Sequence, residues 1–187
     1  YKGLFPNSDI RVMPTLMIDE IIRDIKWKPQ DKTLIGGNFA KWYGGFQSYM
    51  VAQEFDNEIY VPTMHNKRKF EEDVPRLNHL KHCTWFEWMQ LISNFKYAVH
   101  LMPTIAAGTF SLNCAYYGIP CIGNEKVDTQ NICYPDLSVD VEDIQKARKL
   151  AKKLKTDKDF YKHCSDTAKS NYNKNYHITK FKEKFSW

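Results

Sequence analysis

Residues 97–124 read YAVHLMPTIAAGTFSLNCAYYGIPCIGN, 28 residues without a single Asp, Glu, Lys or Arg in a chain that is 26% charged. A stretch this long with no ionised side chain is destined for burial. About 20 apolar residues can span a bilayer as a helix, but Pro103, Thr104, Gly108, Thr109, Ser111, Asn113, Gly118 and Pro120 cut this run into short pieces. Each break would strand backbone groups in lipid, which excludes a membrane span. What remains is a strand, a turn, a helix and a second strand in one core. Residues 97–102 suit a strand buried on both faces and ended by Pro103. Ala106, Ala107 and Gly108 make a small-residue turn, and Thr109, with Ser111 near it, is placed to cap the following helix with its hydroxyl. Gly118 closes that helix, and residues 119–123 form the next strand, with Pro120 at its start where a missing donor does least harm. The unit is a βαβ crossover whose helix start can hold a phosphate on free amides.

The same alternation extends outward. Residues 16–25 carry apolar side chains at helical gaps, residues 33–35 form a short strand, and residues 36–38 a flexible turn. A helix over 45–54 and a strand over 58–62 follow, then a polar helix or loop over 65–73, a strand over 80–83 and a helix over 85–94. Residues 136–141 make the last strand. Ile144, Ala147, Ala151 and Leu154, then Phe160, Cys164 and Ala168, mark two closing helices. Strands alternating with helices at these lengths define an α/β protein with a doubly wound parallel sheet, in which ligands sit beyond the carboxyl ends of the strands.

With 187 residues, 43% of them hydrophobic, the chain has material for one sizeable core. It begins at Tyr1 with no signal-like segment and is expected to be a piece of a longer protein. Five cysteines with no CxxC pair read as reduced, small core hydrophobes, which points to a cytoplasmic location. His100, in a strand, reads as a hydrogen-bonded core histidine. His79, His82 and Cys83 lie close in sequence but lack a fourth ligand, so no metal site is expected. Asp128, Asp136 and Asp140 read as polar loop residues. Charge is uneven: residues 1–140 carry 14 Lys or Arg against 16 Asp or Glu, and residues 141–187 carry 13 against 6. The basic excess covers the outer faces of the C-terminal helices, either as solvated lysines or as a surface for an anionic membrane or an acidic partner. No reader motif for nucleic acid accompanies it. Walker, GxGxxG and GxSxG motifs are absent.

The segment GTFSLNCAYYGIPCIGN (108–124) resembles the donor-site signature of nucleotide-sugar glycosyltransferases of the GT-B fold. RVMPTLMID (11–19) is similar to that family's interdomain linker, and KTLIGGNFAKWYGG (32–45) to the first strand and phosphate loop of its C-terminal half. LKHCTWFEWMQLISNFKYAVHLMP (80–103) resembles the strand, helix and strand leading to the donor loop, and VEDIQKARKLAKKLKTDKDFY (141–161) the closing helices. The likeness runs in order over residues 11–170 and implies a Rossmann-like half of a GT-B fold. Residues 1–15 would then be linker, 16–175 the donor-binding domain, and 176–187 a tail.

The resemblance also implies roles. Gly108, Thr109 and Ser111 would face the donor diphosphate, Thr104 would be a further substrate-binding residue, and Gly37, Asn38 and Lys41 would line the opposing phosphate loop, Lys41 neutralising the leaving group. Thr84 and Trp85 would meet the base, although Trp85 serves equally well as core. Asn113 stands where many retaining members have a glutamate for the ribose, and Ile105 where another carboxylate is usual, so both departures weaken a retaining mechanism. The partners implied are a UDP- or GDP-sugar donor and a missing N-terminal domain that would hold the acceptor and the catalytic base. No catalytic residue, metal or cofactor is implied in this chain, which would bind donor without completing transfer alone. Two other readings stay open. One is a non-catalytic module on the same scaffold, working through its basic tail peripherally at a membrane; the other is a nucleotide-sugar epimerase.

Overall fold

The structure, a computed structural model, describes residues 3–9, 15–63, 69–106 and 108–185. Residues 11–14 of the linker-like segment, residues 64–68 of the expected polar segment and Ala107 of the small-residue turn lie outside the described residues.

Six strands make one parallel sheet: β1 (Gln30–Ile35), β2 (Glu58–Pro62), β3 (Leu77–Leu80), β4 (Phe95–His100), β5 (Cys121–Asn124) and β6 (Ser138–Val139). Their order is β3-β2-β1-β4-β5-β6, and every neighbouring pair is parallel. The chain therefore winds outward in both directions from the β1/β4 junction, which defines a switch point. Helices α1 (Gly45–Ala52) and α5 (Ile144–Thr156) pack together against the sheet, while α3 (Thr109–Tyr117), α4 (Asp128–Cys133) and α6 (Lys158–Asn175) form a second group in contact with one another. The remaining helices are α2 (Trp85–Ile92) and α7 (Ile178–Phe185). Five of the six residues of β4 are buried, as the uncharged run requires, and Tyr97 stacks on Phe55 at 4.0 Å between ring centroids.

Several elements differ from the sequence reading. Residues 16–25 form only a single 3-10 turn, Asp19–Ile21, inside a loop. Met17, Asp19 and Ile22 are buried, whereas Leu16, Ile18 and Ile21 are exposed. Residues two apart lie on different sides of a helix, so burying both Met17 and Asp19 needs a more extended chain. This strap is pinned by the Tyr172 hydroxyl, which donates to Asp19 Oδ2 at 2.9 Å, with His177 Nε2 3.4 Å from the same oxygen. The strand expected at 80–83 runs over Leu77–Leu80, because the following residues lead into the cap of α2. The last strand shrinks to Ser138–Val139 behind a 3-10 turn that starts at Pro135. Helix α4 replaces the polar loop expected around Asp128, and α7 falls in the segment expected to be a tail. The glycines after β1 do not make a loose turn: a Cβ on Gly36 would lie 2.4 Å from the His100 ring.

The cap of α3 is also corrected. Gly108, not Thr109, occupies the N-cap, at φ +64°, and no side chain among the described residues caps the helix. A Cβ on Gly108 would lie 1.8 Å from Thr129 Oγ1, which donates to the Gly108 carbonyl at 2.9 Å. The left-handed backbone and the contact with α4 together demand glycine.

Gly108→Ala should lower stability by about 2–4 kcal/mol in urea titrations, from the left-handed conformation and the overpacking against Thr129. Tyr172→Phe should lower it by about 1–3 kcal/mol by removing the donor to a buried carboxylate whose other oxygen has no partner among the described residues.

Candidate functional site

The loops after β1 and β4 face each other across the switch point, where parallel α/β sheets leave a crevice. The Thr104 hydroxyl joins them by donating to the Trp42 carbonyl at 3.0 Å. Asn124 Nδ2, at the end of β5, donates to the Met102 carbonyl at 2.8 Å, and Ser48 Oγ of α1 accepts from the Leu101 amide at 2.9 Å. The chain leaving β4 is thus held by the helix and the strand beside it, and delivers Gly108 and the start of α3 to the crevice.

The amide of Leu112 bonds the Gly108 carbonyl, the first bond of the helix. The amides of Thr109, Phe110 and Ser111 have no acceptor among the described residues, as the first turn of an uncapped helix requires. Thr109 is exposed and Ser111 buried. A cleft of about 320 Å³ opens beside them, lined by Thr109, Asn113, Trp85 and strap residues including Leu16 and Ile18. A second cleft of about 280 Å³, at the ends of β2 and β3, is lined by Thr63, Lys81, His82, Cys83, Trp85 and Trp88. Trp85 walls both.

Each expected site residue has a definite place. Asn38 is buried in its own loop, its Oδ1 accepting from the Ala40 amide at 3.0 Å and its Nδ2 donating to the Thr63 carbonyl at 3.3 Å. It shapes the loop after β1 and has little capacity left for a ligand. Gly37 is packed under Tyr43, a Cβ there lying 2.6 Å from that of Tyr43. Lys41 is exposed and has no ion pair among the described residues. Thr84 caps α2: its hydroxyl accepts from the Glu87 amide, and the Glu87 carboxylate accepts from the Thr84 amide at 2.8 Å. That reciprocal box holds the Glu87 carboxyl below its usual range. Thr84 is therefore a helix cap, while Trp85 is the residue at that position that faces open space.

Asn113 is buried. Oriented as its neighbours satisfy it, its oxygen accepts from Trp88 Nε1 at 3.1 Å and its nitrogen donates to the Thr109 carbonyl at 3.3 Å. Both ends of the amide are engaged, and the side chain ties the first turn of α3 to the indole of α2. Sequence reasoning missed Trp88, whose only signal was its place four residues after Thr84 on a helix facing α3.

His100 is the core strand residue the sequence suggested, but not a hydrogen-bonded one. It ends β4 directly beneath the crevice, 4.9 Å from the Phe110 ring, and its buried Nε2 has no hydrogen-bond partner among the described residues. Burial pushes its pKa down to about 4, so the ring is neutral at physiological pH. Cys83 is a weak nucleophile, its thiol pushed up by burial and then by Glu87. Among the described residues, no three His, Cys, Asp or Glu side chains are placed to hold a metal ion. His79 instead pairs with the buried Glu71 at 2.9 Å. Among the described residues, no helix is long and apolar enough to cross a membrane. On α5, Arg148 and Lys152 meet Glu54, and Lys155 meets Asp56, so part of the basic excess is neutralised by the body of the domain.

The fold is that of one half of a GT-B glycosyltransferase, Rossmann-like with helices on both sides of the sheet. Among solved structures, a point mutant of S. aureus TarM in complex with fondaparinux, α-GlcNAc-glycerol and UDP aligns over 95% of this chain with a TM-score of 0.66 and 10% identity. WaaG, a glycosyltransferase of lipopolysaccharide biosynthesis, aligns over 92% with a TM-score of 0.63 and 16% identity. An α-glucosyltransferase in complex with UDP and DNA aligns over 98% with a TM-score of 0.62 and 15% identity. The chain spans 37%, 54% and 60% of those three chains. No family model matches the sequence, and no curated protein matches it.

His100 makes stability depend on pH. The unfolded chain protonates this ring near 6.5 and the folded chain near 4, so the unfolded state binds more protons between these values. Stability from this group is complete above about pH 6.5 and falls as the pH drops toward 4, by on the order of 3 kcal/mol in total. His100→Asn should flatten that part of the profile in urea titrations at stepped pH.

Proposed function

We propose that the chain is the donor-binding half of a glycosyltransferase that takes a nucleotide-sugar of the UDP or GDP class. The observation that carries this reading is the start of α3. Three successive amides point from an uncapped helix end at the switch point of a parallel sheet, beside open clefts. Such an end attracts a diphosphate through amide donors and the helix dipole together. Lys41, across the junction and without an ion pair among the described residues, supplies the positive charge that stabilises a departing diphosphate. The base belongs in the cleft between Trp85 and Trp88, where an indole face can stack on it.

Asn113 does not grip the ribose in this reading. Its amide is held by Trp88 and Thr109, so it positions the turn that carries the donor amides. Acceptor and catalytic base are assigned to a further domain of a longer protein, consistent with the share of the neighbours' length that the chain covers. A cytoplasmic location and a peripheral contact of the basic helices with an anionic membrane belong to the same proposal.

A ligand that binds only the folded state stabilises it by an amount that rises with the logarithm of its concentration, about 2.7 kcal/mol at a hundred times its Kd. UDP or GDP should therefore raise the melting temperature progressively, and a flat response to both at millimolar concentration would overturn the reading. Lys41→Ala should weaken the nucleotide response roughly tenfold, as loss of a charge-assisted contact does. Its ligand-free stability should stay within about 0.5 kcal/mol of the parent, because the side chain is exposed.

A further inference from the structure

We infer that a second ligand site, for a phosphate group carrying a small organic body, lies at the other end of the sheet from the crevice. Its frame is a cleft of about 200 Å³ between the segment leading into β1, the end of α3 and one face of α6. Helix α3 starts at the carboxyl end of β4 and runs back along the sheet, so Tyr116 and Tyr117 at its end stand at the amino-terminal edge, where Arg23, Lys26 and Trp27 precede β1. Lys169 of α6 completes the rim.

The walls are aromatic and fixed. Trp27 donates its indole N–H to the Phe95 carbonyl at 2.9 Å, and Tyr117 donates its hydroxyl to the Met89 carbonyl at 3.0 Å. Their polar ends are engaged within the protein, which leaves ring carbon facing the cleft. Tyr116 is held edge-on between Tyr117 and Tyr172, with centroids 4.9 and 5.5 Å away. Its hydroxyl is raised above the usual range by burial and by the negative charges of Asp19 and Asp24, and so remains a donor.

The rim is cationic and poorly neutralised. Arg23 approaches Asp24 only to 4.0 Å, with both side chains largely in solvent, a pair that salt screens to little. Lys26 and Lys169 have no ion pair among the described residues, whereas Arg148, Lys152 and Lys155 on α5 are all matched by acids. Three cations around a small aromatic concavity, with one exposed acid, fit a phosphate that charge-assisted hydrogen bonds can bridge while its organic body lies on the rings. A small, half-open concavity of this size suits a group such as glycerophosphate rather than an extended polyanion. That chemistry is shared by a phospholipid headgroup and a free phosphate ester.

The test uses the full chain, a variant carrying Arg23→Gln, Lys26→Gln and Lys169→Gln, and a control of equal charge change carrying Lys146→Gln, Lys149→Gln and Lys158→Gln. Binding of sn-glycerol 3-phosphate is measured by calorimetry, and sedimentation with phosphatidylcholine vesicles is measured with and without phosphatidylglycerol. The parent should bind the ester, and the first variant should lose roughly tenfold or more in affinity for it. The control, whose lysines lie on the membrane-facing helices proposed above, should keep the parent's affinity for the ester. The melting temperature of the first variant and its response to UDP should both match the parent, which separates this site from the crevice. Binding confined to the soluble ester assigns the cleft to a free metabolite, and vesicle sedimentation lost in the first variant assigns it to a headgroup. Absence of binding in both arms, or an equal loss of ester affinity in the control, overturns the proposal.

Discussion

The geometry of the crevice depends on one local constraint, the left-handed backbone at Gly108 held against Thr129. That residue turns the chain from β4 into α3 without a capping side chain, leaving the first amides of the helix unengaged. Any larger residue would meet α4, and any cap would occupy the amides. The parallel sheet supplies the rest. With β1 and β4 adjacent at the switch point, the loops that leave them open opposite each other, and the Thr104 to Trp42 bond fixes their separation. The uncharged sequence from 97 to 124 is the consequence: a strand buried on both faces, followed by a helix packed against α4 and α6, has no room for a charge.

Around this core the polar groups are engaged in position rather than in chemistry. Asn38 folds its own loop, Thr84 caps α2, and Asn113 joins α2 to α3 through Trp88. Among the described residues, Trp85, Lys41 and the α3 amides are left without such a partner, and they lie on separate elements that the sheet brings together. In the proposed reading such a site would hold its ligand chiefly by backbone donors and a cation, which places few demands on side-chain identity. Low sequence identity to structures of the same fold is compatible with that economy.

Much of the fold was legible because burial writes itself as pattern. The strand over Glu58–Pro62 and the helix starting at Gly45 coincide with the reading, and Ile144, Ala147, Ala151 and Leu154 line one face of α5 as their spacing requires. The strap at residues 16–25 was misread because its apolar residues fall at helical gaps while half of them stay exposed, and only Asp19's bond to Tyr172, 153 positions away, decides its shape. Helix α4 escaped because DTQNIC is short and polar, yet Thr129 and Gln130 are buried against the turn and strand they support. At the site, residue types signalled capacity for hydrogen bonds but not their allocation. Thr84 and Asn113 have partners close in sequence or on a facing helix, and no spacing rule distinguishes a side chain already bonded from one left for a ligand.

The central claim is that the amides of Thr109, Phe110 and Ser111 are the anion-binding element. Titrating UDP and GDP into isotope-labelled protein while following backbone amide resonances tests it most directly. The account predicts saturable shifts centred on those three amides, with smaller ones at Lys41 and the Trp85 indole. Saturation of other resonances with these three unmoved, or no change at any amide up to millimolar nucleotide, would contradict it.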